Sequence, residues 1–152
     1  ALFGTVKKFR TDYSVIPWCT FTDPEIARVG LNEQEAKARG VPHEVTTFNL
    51  NELDRALTDE EALGQIKVLT VPGKDRILGV TIAAAHAGDT IAEFVLALRH
   101  GLGLNKLLRT IHIYPTYAEA NKYAAGAWRR AHSPERLLQW VARYHAWRRG
   151  KY

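Results

Sequence analysis

Methionine is absent from the 152 residues, cysteine occurs once, and no apolar run approaches the roughly 18–20 residues that a membrane-spanning helix needs. Each shortage excludes something. The lone Cys19 cannot form an intramolecular disulfide, a Cys-x-x-Cys redox pair or a multi-cysteine zinc site. Lying between Trp18 and Thr20 in a strand-like run, it reads as core rather than nucleophile. A chain without a disulfide framework is expected in a reducing, cytoplasmic setting. The start at Ala1-Leu2-Phe3-Gly4 has neither an initiator Met nor a signal-peptide pattern, and reads as the inside of a longer gene product. The six histidines (43, 86, 100, 112, 132 and 145) show no HExxH-like spacing, so no metal site is expected. Gly101-Leu102-Gly103 lacks a third glycine and a preceding strand, so it is no dinucleotide fingerprint.

Acidic residues are scarce in one region only. From Lys122 onward eight Lys/Arg face Glu135 alone, a charge of +7. The formal total is +5, so residues 1–121 carry −2, with thirteen basic and fifteen acidic side chains. The basic character belongs to the tail. Hydrophobic residues make up 46%, enough for one domain with a sizeable core and against wholesale disorder.

Residues 1–14 read as a lead-in segment. Val15–Thr22, rich in β-branched and aromatic residues, predicts a strand, and Asp23-Pro24 a turn before a short extended piece, Ile26–Gly30. Asn32–Arg39 predicts a short helix capped by Asn32, with Glu33 and Glu35 at its positive end and Gly40 as its stop. His43–Leu50 reads as a strand, and Asn51–Leu57 as one or two helical turns with Leu53 and Leu57 on one side. Gln65–Val71 and Arg76–Ala85 flank Pro72-Gly73-Lys74-Asp75 and predict a hairpin. Ile91, Phe94, Val95, Leu98 and Leu102 recur at helical spacing, predicting an amphipathic helix over 90–100 capped by Asp89. A shorter helix capped by Asn105 runs through Arg109, and helices over 116–131 and from Pro134 to Arg149 follow. Strands first and helices last predict an α+β fold, with a mixed or antiparallel sheet of about five strands and helices on one side.

Three blocks stand at recognisable intervals: Ile16 to Gly30, Gly79 to Leu98, and His112-Ile113-Tyr114-Pro115-Thr116-Tyr117-Ala118-Glu119-Ala120. The first resembles the "P-x-x-x-F-T-x-P-E-x-A-x-V-G" opening of the C-terminal dimerisation domain of the pyridine nucleotide–disulfide oxidoreductases. The second resembles that domain's "A-G-x-x-I-x-E-x-x-L-A-L" middle, and the third its closing "H-x-H-P-T-x-x-E" signature. The resemblance spans roughly residues 1–125 and divides the chain into a dimerisation domain, 1–131, and a basic amphipathic helical extension, 132–152.

The resemblance implies a homodimer whose complete subunit also carries FAD and NAD(P)H domains, with no cofactor expected in this chain alone. It implies that the signature of one subunit reaches the partner's redox cysteines and flavin, where a His serves as acid–base group and a Glu orients it. A thiolate is the reactive form, so a group titrating near neutrality suits that task. At the position of that His stands Tyr114, with Glu119 five residues on. A phenol titrates near 10, so Tyr114 is a poor base at neutral pH but remains able to donate a hydrogen bond to a thiolate or ligand. The mercuric reductase-like branch also has Tyr there, which makes it the nearest branch; glutathione and lipoamide reduction, which use the His, are disfavoured. This chain, however, ends Arg149-Gly150-Lys151-Tyr152, without the vicinal cysteines that hand over mercury. Candidate catalytic residues are therefore Tyr114, Glu119 and His112, which an extended segment would place on the same side as Tyr114. Tyr114 and Pro115 are the candidates for contact with the cofactor.

The tail has readings of its own. Leu137, Trp140, Val141, Tyr144 and Trp147 share a helical face beside Arg136, Arg143, Arg148 and Arg149. Such a helix packs on the domain or a partner subunit, or lies along 134–149 on an anionic membrane surface. Nucleic-acid binding rests on charge alone and is not expected. The contrasting reading for the whole chain is a stand-alone dimerisation or adaptor module without catalysis.

Overall fold

The computed structural model describes residues 13–150; the expected lead-in lies outside the described residues through residue 12, and of residues 14 and 135–138 the backbone alone is described. Five strands form one sheet: β1 (Trp18–Thr20), β2 (Glu25–Gly30), β3 (Glu44–Asn49), β4 (Gln65–Thr70) and β5 (Ile77–Ala84), in the order β1-β2-β5-β4-β3. Every neighbouring pair is antiparallel. Among the described residues six α-helices accompany them: α1 (Glu33–Ala38), α2 (Asp54–Thr58), α3 (Ala87–Arg99), α4 (Leu104–Arg109), α5 (Glu119–Ala131) and α6 (Glu135–Arg149). The α+β expectation holds.

Alternation builds the sheet. Ala27 and Val29 in β2, Ile66 and Val68 in β4, and Val80, Ile82 and Ala84 in β5 are buried on one face. Against that face α3 contributes Ile91, Phe94 and Ala97 and α5 Ala120, Ala124, Ala125 and Trp128, while α4 packs on α5 and adds Leu104 and Leu107 to the same core. The small residues of α5 let its backbone lie close to the strands. On the other face the strands present Lys67, Thr81 and Ala83 beside α1, where Glu33 pairs with Lys67 at 3.3 Å. The hairpin of β4 and β5 forms as expected, with a register shift at Leu69/Thr70.

The cap of α1 is legible in the sequence. The Asn32 side chain accepts from the Glu35 N–H at 2.8 Å, and the Glu35 carboxylate accepts from the Asn32 N–H at 3.3 Å. The caps of α3 and α4 are not those expected. α3 starts at Ala87, behind His86 in the left-handed region, and Asp89 falls inside its first turn. The carboxylate at this end comes from β2: Glu25 accepts from the Gly88 N–H at 2.8 Å. α4 begins behind Gly103, and Asp75, in the hairpin turn, accepts from the Asn105 N–H at 3.1 Å and from its side-chain amide at 2.8 Å. In both cases a tertiary neighbour supplies what local sequence was expected to supply.

Three further boundaries shift. The first strand shortens to three residues, because Pro17 has no N–H to donate and residues 13–15 form a 3-10 turn. Leu53, at the N-cap of α2, accepts from the Leu57 N–H at 3.0 Å but has extended backbone, so its side chain is fully buried while that of Leu57 is 52% exposed. α5 starts at Glu119 rather than Thr116, which lengthens the loop before it.

Candidate active-site segment

That loop, Thr110–Ala118, contains the signature residues, and buried polar contacts fix its course. His112 points inward, its side chain 6% exposed. Its Nδ1 faces the Thr110 carbonyl at 3.1 Å and its Nε2 the Glu93 carboxylate of α3 at 3.1 and 3.2 Å. The buried Asn121 of α5 donates to the same carboxylate at 2.9 Å and to the Thr90 carbonyl at 3.0 Å. Glu93 thus joins the loop to α3 and α5 in a region where an unpaired polar group is costly.

Tyr114 points the other way. It is 64% exposed, follows the exposed Ile111 and Ile113, and precedes Pro115 through a cis peptide bond. Its hydroxyl donates to Asp54 Oδ2 at the start of α2, 2.9 Å away. This hydrogen bond to a carboxylate, first among the causes, holds the phenol above its ordinary value near 10. His112 and Tyr114 therefore do not share a side, because the segment is an irregular loop without the alternation of a paired strand.

Glu119 occupies the first turn of α5 and is 5% exposed. Its carboxylate accepts from the Thr116 N–H at 3.3 Å and, weakly, from the Tyr123 hydroxyl at 3.5 Å. Burial, then the Glu119 charge, raises the Tyr123 phenol. The three candidates thus divide: Tyr114 faces solvent, Glu119 closes the loop onto α5, and His112 locks the loop to α3. Asp54 and Asn121 escaped sequence reasoning, since neither has a local signal and each acts on residues distant in sequence. Glu93 lies inside the second motif block but showed no link to His112.

Beside Pro115 a cleft of about 360 Å3 is lined by Arg55, His86, Asp89, Thr90, Thr116, Tyr117 and Ala118. The His86 and Tyr117 rings lie 4.8 Å apart on its wall. Arg55 is paired with Asp59 at 2.6 Å. Cys19 is half-buried, and burial followed by Glu25 and Asp89 raises its thiol, which disfavours the thiolate. Among the described residues no three His, Cys, Asp or Glu side chains are grouped to hold a metal, and no helix is long and apolar enough to cross a membrane.

An antiparallel sheet with α1 beside one face and α3 and α5 on the other, and a pinned loop that leaves Ile111, Ile113 and Tyr114 exposed, is the frame that the comparisons with known proteins identify. The family described as the pyridine nucleotide-disulphide oxidoreductase dimerisation domain matches residues 16–125, and the chain belongs to it. Dihydrolipoamide dehydrogenase of Chaetomium thermophilum is 43% identical over 116 residues, 76% of this chain and 23% of that protein. Mercuric reductase of Streptomyces lividans is 39% identical over 114 residues, 75% of this chain and 24% of that protein. The HOCl-induced flavoprotein disulfide reductase RclA of Escherichia coli shares the fold, with a TM-score of 0.74 at 23% identity, over 82% of this chain and 29% of that one. The chain spans about a quarter of the length of these relatives.

Proposed function

We propose that this chain is the homodimeric contact domain of a flavin-dependent NAD(P)H disulfide or metal-ion reductase, and that its signature loop is presented to the partner's redox centre. The observation that carries the reading is the loop itself. His112 and Glu119 pin it from inside, while Ile111, Ile113 and Tyr114, respectively 94%, 79% and 64% exposed, project from a domain whose family is defined by subunit contact. Exposed apolar residues on a fixed loop gain most by meeting another surface.

In this reading FAD and NAD(P) belong to parts of the protein outside this chain. The outward phenol of Tyr114 and the ring of Pro115 fit the edge of such a group rather than enclose one. The chemistry that group supplies is transfer of reducing equivalents from a nicotinamide to a thiol pair or metal ion. This chain's part is to exclude water with Ile111 and Ile113 and to place the Tyr114 hydroxyl where sulfur or flavin meets the partner. Glu119 and His112 set the loop rather than exchange protons. In this reading α6 is an extension of the domain, joined to it at His132, which stacks on Trp128 and meets the Glu44 carboxylate at 2.9 Å, and it carries Trp140, Tyr144 and Trp147 exposed.

Sedimentation equilibrium tests the reading. The expected mass is twice the 17.1 kDa of one chain. A monomer at high concentration overturns it.

A further inference from the structure

We propose that Asp54 is the positioning residue for Tyr114, holding the phenol as a neutral group with its hydrogen committed inward and its oxygen lone pairs left for a neighbouring molecule. The role rests on the reading that Tyr114 is presented to a partner subunit; the pairing itself does not.

The argument starts from exposure. A tyrosine 64% open to solvent is not held by packing, so the direction of its hydroxyl depends on a polar partner. That partner is the Asp54 carboxylate at 2.9 Å, sixty positions earlier in the chain. Glu119, which the spacing of the signature offers for this role, is committed to the Thr116 N–H and turned towards Tyr123. Asp54 is itself well placed to orient another group. The neighbouring Leu53 and Ala56 are fully buried, and its carbonyl accepts from the Thr58 hydroxyl at 2.8 Å. α2 is thus nailed to the core beneath the carboxylate, and the carboxylate reaches out to the loop.

The chemistry follows from the donor inventory. An ionised carboxylate only accepts, so the phenol O–H must donate to it. A hydroxyl whose hydrogen is taken presents lone pairs, and so accepts a hydrogen bond from a thiol or a protonated group on the facing molecule. The charged and titratable groups acting on this phenol are Asp54 on α2 and Glu119 and Tyr123 on α5. The acidic members favour the neutral phenol, with Asp54 the largest influence.

The test is a titration of the tyrosine ring carbon by NMR, on the intact chain labelled at the phenol carbon, with Tyr114→Phe assigning the signal. Fluorotyrosine, a more acidic phenol, repeats it under milder alkali. Wild type is expected to titrate above 10. Asp54→Asn is expected to lower the Tyr114 midpoint towards about 10, and Asp54→Glu to restore much of the elevation. Glu119→Gln is expected to move the midpoint less than Asp54→Asn does. An unchanged midpoint in Asp54→Asn, or a larger fall in Glu119→Gln, overturns the proposal. Sedimentation of the same samples separates the two claims: a monomer whose midpoint falls in Asp54→Asn sinks the dimer reading and leaves the pairing standing.

Discussion

Asn121 shows how much a single side chain contributes to the signature loop. It is fully buried and donates to a main-chain carbonyl and to a carboxylate that also receives His112. Asn121→Ala leaves the buried Thr90 carbonyl and the part-buried Glu93 carboxylate each short of a donor. The expected loss is about 1–3 kcal/mol of unfolding free energy, measured by urea denaturation, together with exchange broadening of loop resonances. Gly79 is constrained for a different reason. A Cβ there would run into the backbone of Leu31, where the chain leaves β2 and the Leu31 N–H donates to the Leu78 carbonyl at 3.0 Å. Close backbone approach, not a turn, requires that glycine.

At the scale of elements, the helices differ in where their ends are satisfied. α1 is self-contained: its capping box lies within four residues, and Glu35 also accepts from Arg28 of β2 at 2.7 Å. The Arg28 hydrogen bond, followed by that from the Asn32 main chain, lowers the Glu35 carboxyl below its ordinary 4.5. A carboxylate whose folded value is depressed contributes stability above the unfolded value and loses it as pH falls through the folded one. Glu35→Gln is therefore expected to be less stable than wild type at neutral pH. The gap should close as the pH drops below about 4.5, measured by thermal melts across an acid series. Arg28 adds a second contact by lying 4.3 Å from the centre of the Trp18 ring, which ties β1 to the same cluster. α3 and α4, by contrast, receive their carboxylates from β2 and the hairpin turn. Their starts depend on the sheet having formed.

At the scale of the molecule, Ile111 and Ile113 of the loop are among the apolar residues that the single chain leaves exposed, as are Phe21 and Leu63 elsewhere on its surface. Ile111 and Ile113 can be changed without opening the core, because neither is part of it. Ile111→Glu with Ile113→Glu is expected to halve the sedimenting mass while circular dichroism and the urea midpoint of the monomer stay near those of the wild-type fold. Charges facing their own copies across a two-fold contact repel, and obligate contacts of this kind bury about 2,000 Å2 or more. A variant that keeps the dimer moves the contact away from this loop.

Much of this was legible in the residues themselves. The hairpin around Pro72-Gly73-Lys74-Asp75, the amphipathic run ending near His100 and the box at Asn32–Glu35 are local patterns, with periodicity or capping chemistry inside one short window. The three motif blocks likewise named the family that the comparison with known proteins shows. What local sequence did not contain was which side chains meet. Whether Asp89 or Glu25 serves α3, whether Asn105 caps α4 or leans on Asp75, and whether Glu119 or Asp54 holds Tyr114 all depend on contacts across 30 to 63 positions. Hydrogen bonds are decided by distance in space, and only the folded sheet sets those distances.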